Sequence, residues 1–292
     1  MKRFEDYNPV VIFIFFVAIT ITAMFCMDFI LLSISLLGGL AYYITIYGAF
    51  AVKKLWWYLL VILSCMIINP IFSHNGKTVL FMLNGMGVTA EALLYGLALG
   101  MMITAMLLWF RIFSQIMTSD KLLYVFGYAS PKLALILSMT LRYIPLYKKQ
   151  AKKINMSQRA IGLYKEDNFL DKLRGGMRIF SVMVTWALEN GVTTADSMVA
   201  RGYGSRRRTR FAIFRWNAAD ITMLIITILL IASTAFMIAL SKIGFDFYPQ
   251  IQLPAFTLGS AIGYIAYAIL ALAPTFINIR EELSWKSLTS KI

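Results

Sequence analysis

Histidine is almost missing from this chain: His74 is the single one among 292 residues. One imidazole, set in a short polar stretch, cannot build a Ser-His-Asp or Cys-His arrangement and meets no zinc-ligand spacing. Cysteine is nearly as scarce. Cys26 and Cys65 both fall inside apolar runs, which reads as membrane thiols rather than a disulfide framework or a metal site. Acidic residues number only 14. They form no interior pair of the kind a proton relay needs, because Asp28, Glu91 and Asp220 stand at the edges of apolar stretches. A phosphate-binding loop is lacking too: the Gly-Lys-Thr of "HNGKT" (74–78) needs a further glycine where Ile71 stands. The chain is therefore expected to catalyse nothing itself and to hold no cofactor.

What the sequence has is apolar bulk. Hydrophobic residues make up 60% and charged ones 14%, with a mean hydropathy of +0.72. A soluble domain of that composition would expose its surplus of large apolar side chains to water. The expected fold is all-α and polytopic, with about six helices long enough to cross a core of about 30 Å. They run over 9–27, 29–51, 55–73, 90–110, 219–240 and 254–277. The charged start "MKRFEDYNP" leads into the first run without a small-residue cleavage site, so that run is expected to be retained as a span. Gly96 to Gly100 and Gly259 to Gly263 have GxxxG spacing, which is expected to serve helix packing within the subunit.

The net charge of +14 does not form a basic face on a soluble fold, so nucleic acid is not an expected partner. The charges border membrane segments. With the amino terminus cytoplasmic, 26 of the 28 Lys and Arg residues lie inside and only Lys77 and Lys242 outside, as the positive-inside rule requires. Both termini are then expected on the cytoplasmic face of the cell membrane, and Arg206, Arg207, Arg208 and Arg210 anchor the span that follows them.

The chain divides into 1–117 with four membrane helices, 118–217 of different character, and 218–292 with two more helices and a short tail. In the middle part, "LALILSMTLRYIPLY" (133–147) and "MRIFSVMVTWAL" (177–188) are too short for spans, and Arg142 would cost about 3 kcal/mol at a bilayer centre. Both are expected as amphipathic helices beneath the membrane. The first begins at Pro131 after Ser130, repeats Leu133, Ile136, Leu137, Thr140, Leu141 and Ile144 at helical spacing, and is expected to kink at Pro145. The second begins near Asp167 or Asn168 and carries Leu170, Leu173, Met177, Val184 and Leu188 on one side. Gly191 is expected to break it, with Thr193 capping a short new helix, Asp196 as its capping-box partner, and Gly202 as its end. Arg201 then sits in a last turn, where a cation suits the helix dipole, and Gly202 supplies a left-handed turn.

"LRYIPLYKKQAKKINMSQRAIGL" and, farther on, "ADSMVARGYGSRRRTRF" resemble the transmembrane T component (EcfT, or CbiQ-like) of bacterial energy-coupling factor transporters. The resemblance is strong over about residues 90–218 and extends to the layout of most of the chain. It implies a complex with two cytoplasmic ABC-type ATPases and a membrane-embedded substrate-binding S component, serving uptake of a vitamin or metal ion. It makes 118–217 a coupling region whose two coupling helices each end in an Ala-Arg-Gly-type motif docking on one ATPase. Ala200, Arg201 and Gly202 match that motif fully. The first motif falls at Ala160, Ile161 and Gly162, where Ile161 replaces the arginine and Arg159 stands two residues earlier. Two other function classes compete: a membrane-embedded lipid or prenyl transferase that uses the basic region for anionic headgroups, and a permease acting alone.

The charge bias generates a first prediction. A cysteine placed at Lys153 should resist an impermeant thiol reagent applied from outside intact cells and react once the membrane is opened. Labelling from outside would reverse the topology.

Overall fold

The computed structural model describes residues 3–73, 76–83, 86–162, 169–204, 214–240, 245, 247 and 257–289. His74, Asp167, Asn168, Lys242, the arginines at 206, 207, 208 and 210, and the expected start of the last span at 254 lie outside the described residues. Among the described residues, nine α-helices and one hairpin follow a short 3-10 turn at Phe4–Asp6. They are α1 (Pro9–Phe25), α2 (Phe29–Tyr47), α3 (Ala49–Phe72), β1 (Val79–Leu83), β2 (Met86–Thr89), α4 (Ala90–Ile116), α5 (Ser119–Ala129), α6 (Pro131–Ala160), α7 (Phe169–Ala200), α8 (Ala218–Ala239) and α9 (Leu258–Thr289). The chain forms two compact units, residues 1–122 with 214–292, and residues 123–213.

Among the described residues, five helices of the first unit are long and apolar enough to cross a membrane: α2, α3 over Leu55–Phe72, α4, α8 and α9. The expected first span is shorter than the sequence suggests. α1 has 17 residues and stops at Phe25, because the side chain of Asp28 caps the next helix by accepting from the amides of Ile30 and Leu31. The second expected span also ends early, at Tyr47, where Gly48 turns the chain with φ 61° before α3 begins. α4 and α9 run on past their apolar stretches, to Ile116 and Thr289.

The three acids at the span edges are buried structural acceptors. Asp28 takes a 2.8 Å hydrogen bond from the Tyr264 hydroxyl of α9. Asp220 closes a capping box on Asn217 and accepts from the Asn8 amide at 3.0 Å, which ties the starts of α1 and α8 together. Glu91 accepts from the Thr78 hydroxyl at 2.6 Å, fastening α4 to the chain before the hairpin. Each carboxylate answers amides or hydroxyls that burial would otherwise leave unpaired.

Aromatics fill the core. Phe4, Phe15, Phe16, Tyr42 and Trp109 are fully or almost fully buried, and the Trp109 ring nitrogen donates to the Ser35 hydroxyl at 3.1 Å. Gly96 and Gly100 bring α4 against the backbone of α3: a Cβ on either would lie 2.9 Å from the carbonyl oxygen of Cys65 or Ile62. GxxxG spacing at this pair therefore serves packing within the chain. Lys121 closes the end of α4 by donating to the carbonyls of Glu5 at 2.7 Å and Ile116 at 3.1 Å; burial holds its ammonium below the usual lysine pKa.

In the second unit α6 and α7 run antiparallel. The Tyr143 and Thr194 hydroxyls are hydrogen-bonded at 2.7 Å, and one turn farther along α6 the Tyr147 ring meets Trp186 edge-on, 5.4 Å between centroids. Partner numbers on α7 fall as those on α6 rise, which fixes the antiparallel sense. α6 starts at Pro131 as the sequence predicts, without a side-chain cap from Ser130, and continues through Pro145.

α7 departs from expectation. It is one helix from Phe169 to Ala200, so Gly191 does not break it and Thr193 caps nothing. Asn190 donates to the Trp186 carbonyl, Thr193 to Glu189 and Ser197 to Thr193, each four residues back. These polar side chains bond inside the helix instead of turning the chain out of it. Gly191 then costs the helix backbone entropy and gains nothing. Since a Cβ at Gly191 would meet nothing within 4 Å, Gly191→Ala should stabilise α7 by about 1 kcal/mol and raise the thermal midpoint of the purified chain. A lowered midpoint would show that the helix needs glycine there.

Candidate functional site

Both motif ends are helix C-termini closed by a left-handed glycine. At the end of α7, the Gly202 amide donates to the Val199 carbonyl at 2.9 Å and the Tyr203 amide to Met198 at 3.0 Å. Gly202 has φ 78°. This is the Schellman arrangement, with Arg201 as the last half-helical residue. At the end of α6, the Gly162 amide donates to the Arg159 carbonyl at 3.0 Å, and Gly162 has φ 73°. Only glycine adopts that conformation without strain. The two tips therefore share a backbone design although one carries Arg201 and the other Ile161.

Arg201, Ile161, Arg159, Ala160 and Ala200 are all exposed, Ile161 to 75%. An isoleucine displayed that far at a helix tip leaves most of its surface uncovered by its own chain. Arg159 does not replace it in space: on a helix, residues two apart point about 200° from one another. The structure thus leaves the first tip apolar and the second cationic.

The antiparallel pairing sets where the tips lie relative to one another. Arg201 lines the same cleft as Leu135, whereas Ile161 lies roughly 40 Å farther along α6 at 1.5 Å per residue. One helix pair therefore carries the two motifs at opposite ends.

Leu133, Ile136, Leu141 and Ile144 of α6, and Leu170, Leu173, Met177, Val184 and Leu188 of α7, are exposed. Those apolar stripes are not the surface that joins the two helices. Turned toward α7 instead are Leu135, Ser138, Met139 and Arg142, spaced as one face of α6. They line a cavity of about 500 Å³ together with α7 residues that include Asn190, Thr194, Ser197 and Arg201. Arg142, which the sequence marks only as too costly for a span, is thus a site-lining residue. It completes an i, i+3, i+4, i+7 spacing with Leu135, Ser138 and Met139. Among the described residues, no group of three His, Cys, Asp or Glu side chains is placed to hold a metal.

Comparison with known proteins identifies the family. The family model described as CbiQ, cobalt transport protein, matches residues 2–212. The energy-coupling factor transporter transmembrane protein EcfT 1 of Listeria monocytogenes is 35% identical over 102 residues, 34% of this chain and 38% of that protein. EcfT of Streptococcus thermophilus is 32% identical over 111 residues, covering 37% and 42%. EcfT of Streptococcus equi is 26% identical over 176 residues, covering 55% and 64%. In the first two of these alignments the chain spans less than half the length of its relative. The family match, in contrast, takes in the first four apolar helices and the whole α6–α7 pair, and on that ground the chain belongs to the CbiQ family of multi-pass membrane transport components, of the EcfT type.

Proposed function

We propose that the chain is the coupling subunit of an ATP-driven importer, with its two helix tips docked on two ABC-type ATPase subunits. The observation that carries this reading is the pair of glycine-terminated tips at opposite ends of one antiparallel helix pair. A stiff pair of helices of about 45 Å each at 1.5 Å per residue can convert a change in the distance between two docked subunits into a change of its own tilt or spread. The exposed apolar stripes of α6 and α7 supply a surface for a third partner, a membrane-embedded substrate-binding S component. That component would select the vitamin or metal ion. The chain itself performs no hydrolysis. Its long apolar helices sit in the cell membrane, and both termini face the cytoplasm with the basic residues.

Docking follows from chemistry at the tips. Arg201 offers a guanidinium beyond the last turn of α7, where five N–H donors can meet a carboxylate in paired geometry. Ile161 offers apolar contact only, so the two ends contribute unequally and Arg201 is the stronger anchor.

Purification of the chain with the ATPases expressed from the same operon tests the reading. The ATPases should co-elute in detergent, and Arg201→Glu should strip them and abolish uptake while membrane expression stays near normal, because a reversed charge then meets an acidic surface. Arg159→Ala should weaken retention only mildly, by about 1 kcal/mol, as for a partly exposed pair. Consistent absence of ATPases from the wild-type complex would turn the assignment toward a permease acting alone or a lipid-modifying enzyme. Normal recovery and uptake in Arg201→Glu would remove Arg201 from the docking surface.

A further inference from the structure

The cleft between α6 and α7 has a composition that neither helix packing nor a simple tip contact requires. Arg142 comes to it from α6 and Arg201 from α7, and among the described residues no carboxylate lines it. The α7 acids nearest in sequence, Glu189 and Asp196, are exposed and not part of the lining. Among the described residues neither arginine has an ion-pair partner. The Arg142 guanidinium lies over the Tyr143 ring, 5.5 Å from its centroid, and an anion entering the cleft would be attracted by both cations that line it.

Of the hydroxyls that line the cleft, Ser138 adds one small donor, and the others are committed elsewhere. Thr193 and Ser197 spend their protons on the carbonyls of Glu189 at 2.9 Å and Thr193 at 2.8 Å, and Thr194 is engaged with Tyr143. Donation into the cleft is therefore dominated by the two arginines, whose planar forks fit an oxyanion with two parallel acceptors. The floor of Leu135, Met139 and Met198 gives an apolar bed beside them, and the volume of about 500 Å³ is far more than an inorganic phosphate fills. An acidic side chain carried on a protein surface fits both parts, its methylene stem on the methionines and its carboxylate at the arginines. Residues 123–213 hold 16 basic and 5 acidic side chains, so an acidic protein partner is also favoured at longer range.

We propose that this cleft is an anion pocket that receives a carboxylate side chain of the ATPase at the α7 tip, clamped between Arg142 of α6 and Arg201 of α7. The proposal rests on the assignment of Arg201 as a docking residue and adds a second helix to the contact. One docked carboxylate then fastens both helices at the point where α7 ends, so that this ATPase grips the helix pair and not a single tip.

The test uses the complete complex with its co-expressed ATPases, reconstituted in nanodiscs, and measures ATPase dissociation for wild type, Arg142→Ala, Arg201→Ala and the double variant. Arg142→Ala should weaken binding by about tenfold, the size of a lost charge-assisted contact, and Arg142→Lys should restore part of it. Because both arginines read one carboxylate, the double variant should lose less than the product of the two single losses. Arg142→Gln, which keeps the side chain's bulk, serves if the alanine variant is poorly folded. Wild-type affinity in Arg142→Ala and Arg142→Gln, with Arg201→Ala still impaired, would overturn the pocket and leave docking by Arg201 standing. Strictly multiplicative losses would also overturn it, since the arginines would then serve separate groups. No effect of either arginine would remove the docking assignment itself. Should Arg142→Ala reduce binding of phosphatidylglycerol vesicles while ATPase affinity is unchanged, the occupant is a lipid headgroup and the proposal is wrong.

Discussion

The hydrogen bond between Tyr143 and Thr194, 2.7 Å long, and the edge-on contact of Tyr147 with Trp186 fix the register of α6 against α7. A slip of one helical turn would change which α6 residues share the cleft with Arg201 and change the separation of the two tips. Both consequences matter, since what the helix pair can do depends on where its ends are. The contacts are polar and aromatic, not aliphatic. That leaves the aliphatic stripes of both helices outward, on surfaces that apolar partners can cover.

The membrane unit is held by a different kind of constraint. Its helices meet through small residues and through buried acids that accept from amides and hydroxyls. Asp28 and Asp220 each join two helices that are far apart in sequence, and Gly96 and Gly100 let α4 approach the backbone of α3. In hydrocarbon such contacts replace the hydrophobic drive that water would supply. Acids that look like transport residues from their rarity are, in this chain, ties at helix ends.

Much of this was legible in the residues. Long apolar runs located the membrane helices, because a span must be about 20 residues and mostly apolar whatever surrounds it. Glycine after a small-residue helix end located both tips, since the left-handed turn has few other solutions. Three features were not legible, for physical reasons. Asp28 ends α1 early by capping its neighbour, which depends on a tertiary turn. Gly191 has the sequence look of a helix break, but Asn190, Thr193 and Ser197 bond back along the helix, and their choice between capping and back-bonding is set by what the segment packs against. Which face of α6 meets α7 has no distinct sequence signal, because that face mixes Leu135 and Met139 with Ser138 and Arg142. The hairpin at Val79–Thr89 had a sequence signal in Asn84-Gly85 that the apolar runs on either side obscured.

The central claim is that one helix pair holds two separate partners, one at each end. It is tested most directly by cross-linking from both tips of a chain in which Cys26 and Cys65 are replaced by serine. Cysteines at Ile161 and Tyr203, each joined by a short bifunctional reagent to the co-purified ATPases, should capture one ATPase apiece, and the doubly substituted chain should yield a species containing two. A doubly substituted chain that saturates with a single ATPase, linked to it through both positions, would contradict the account.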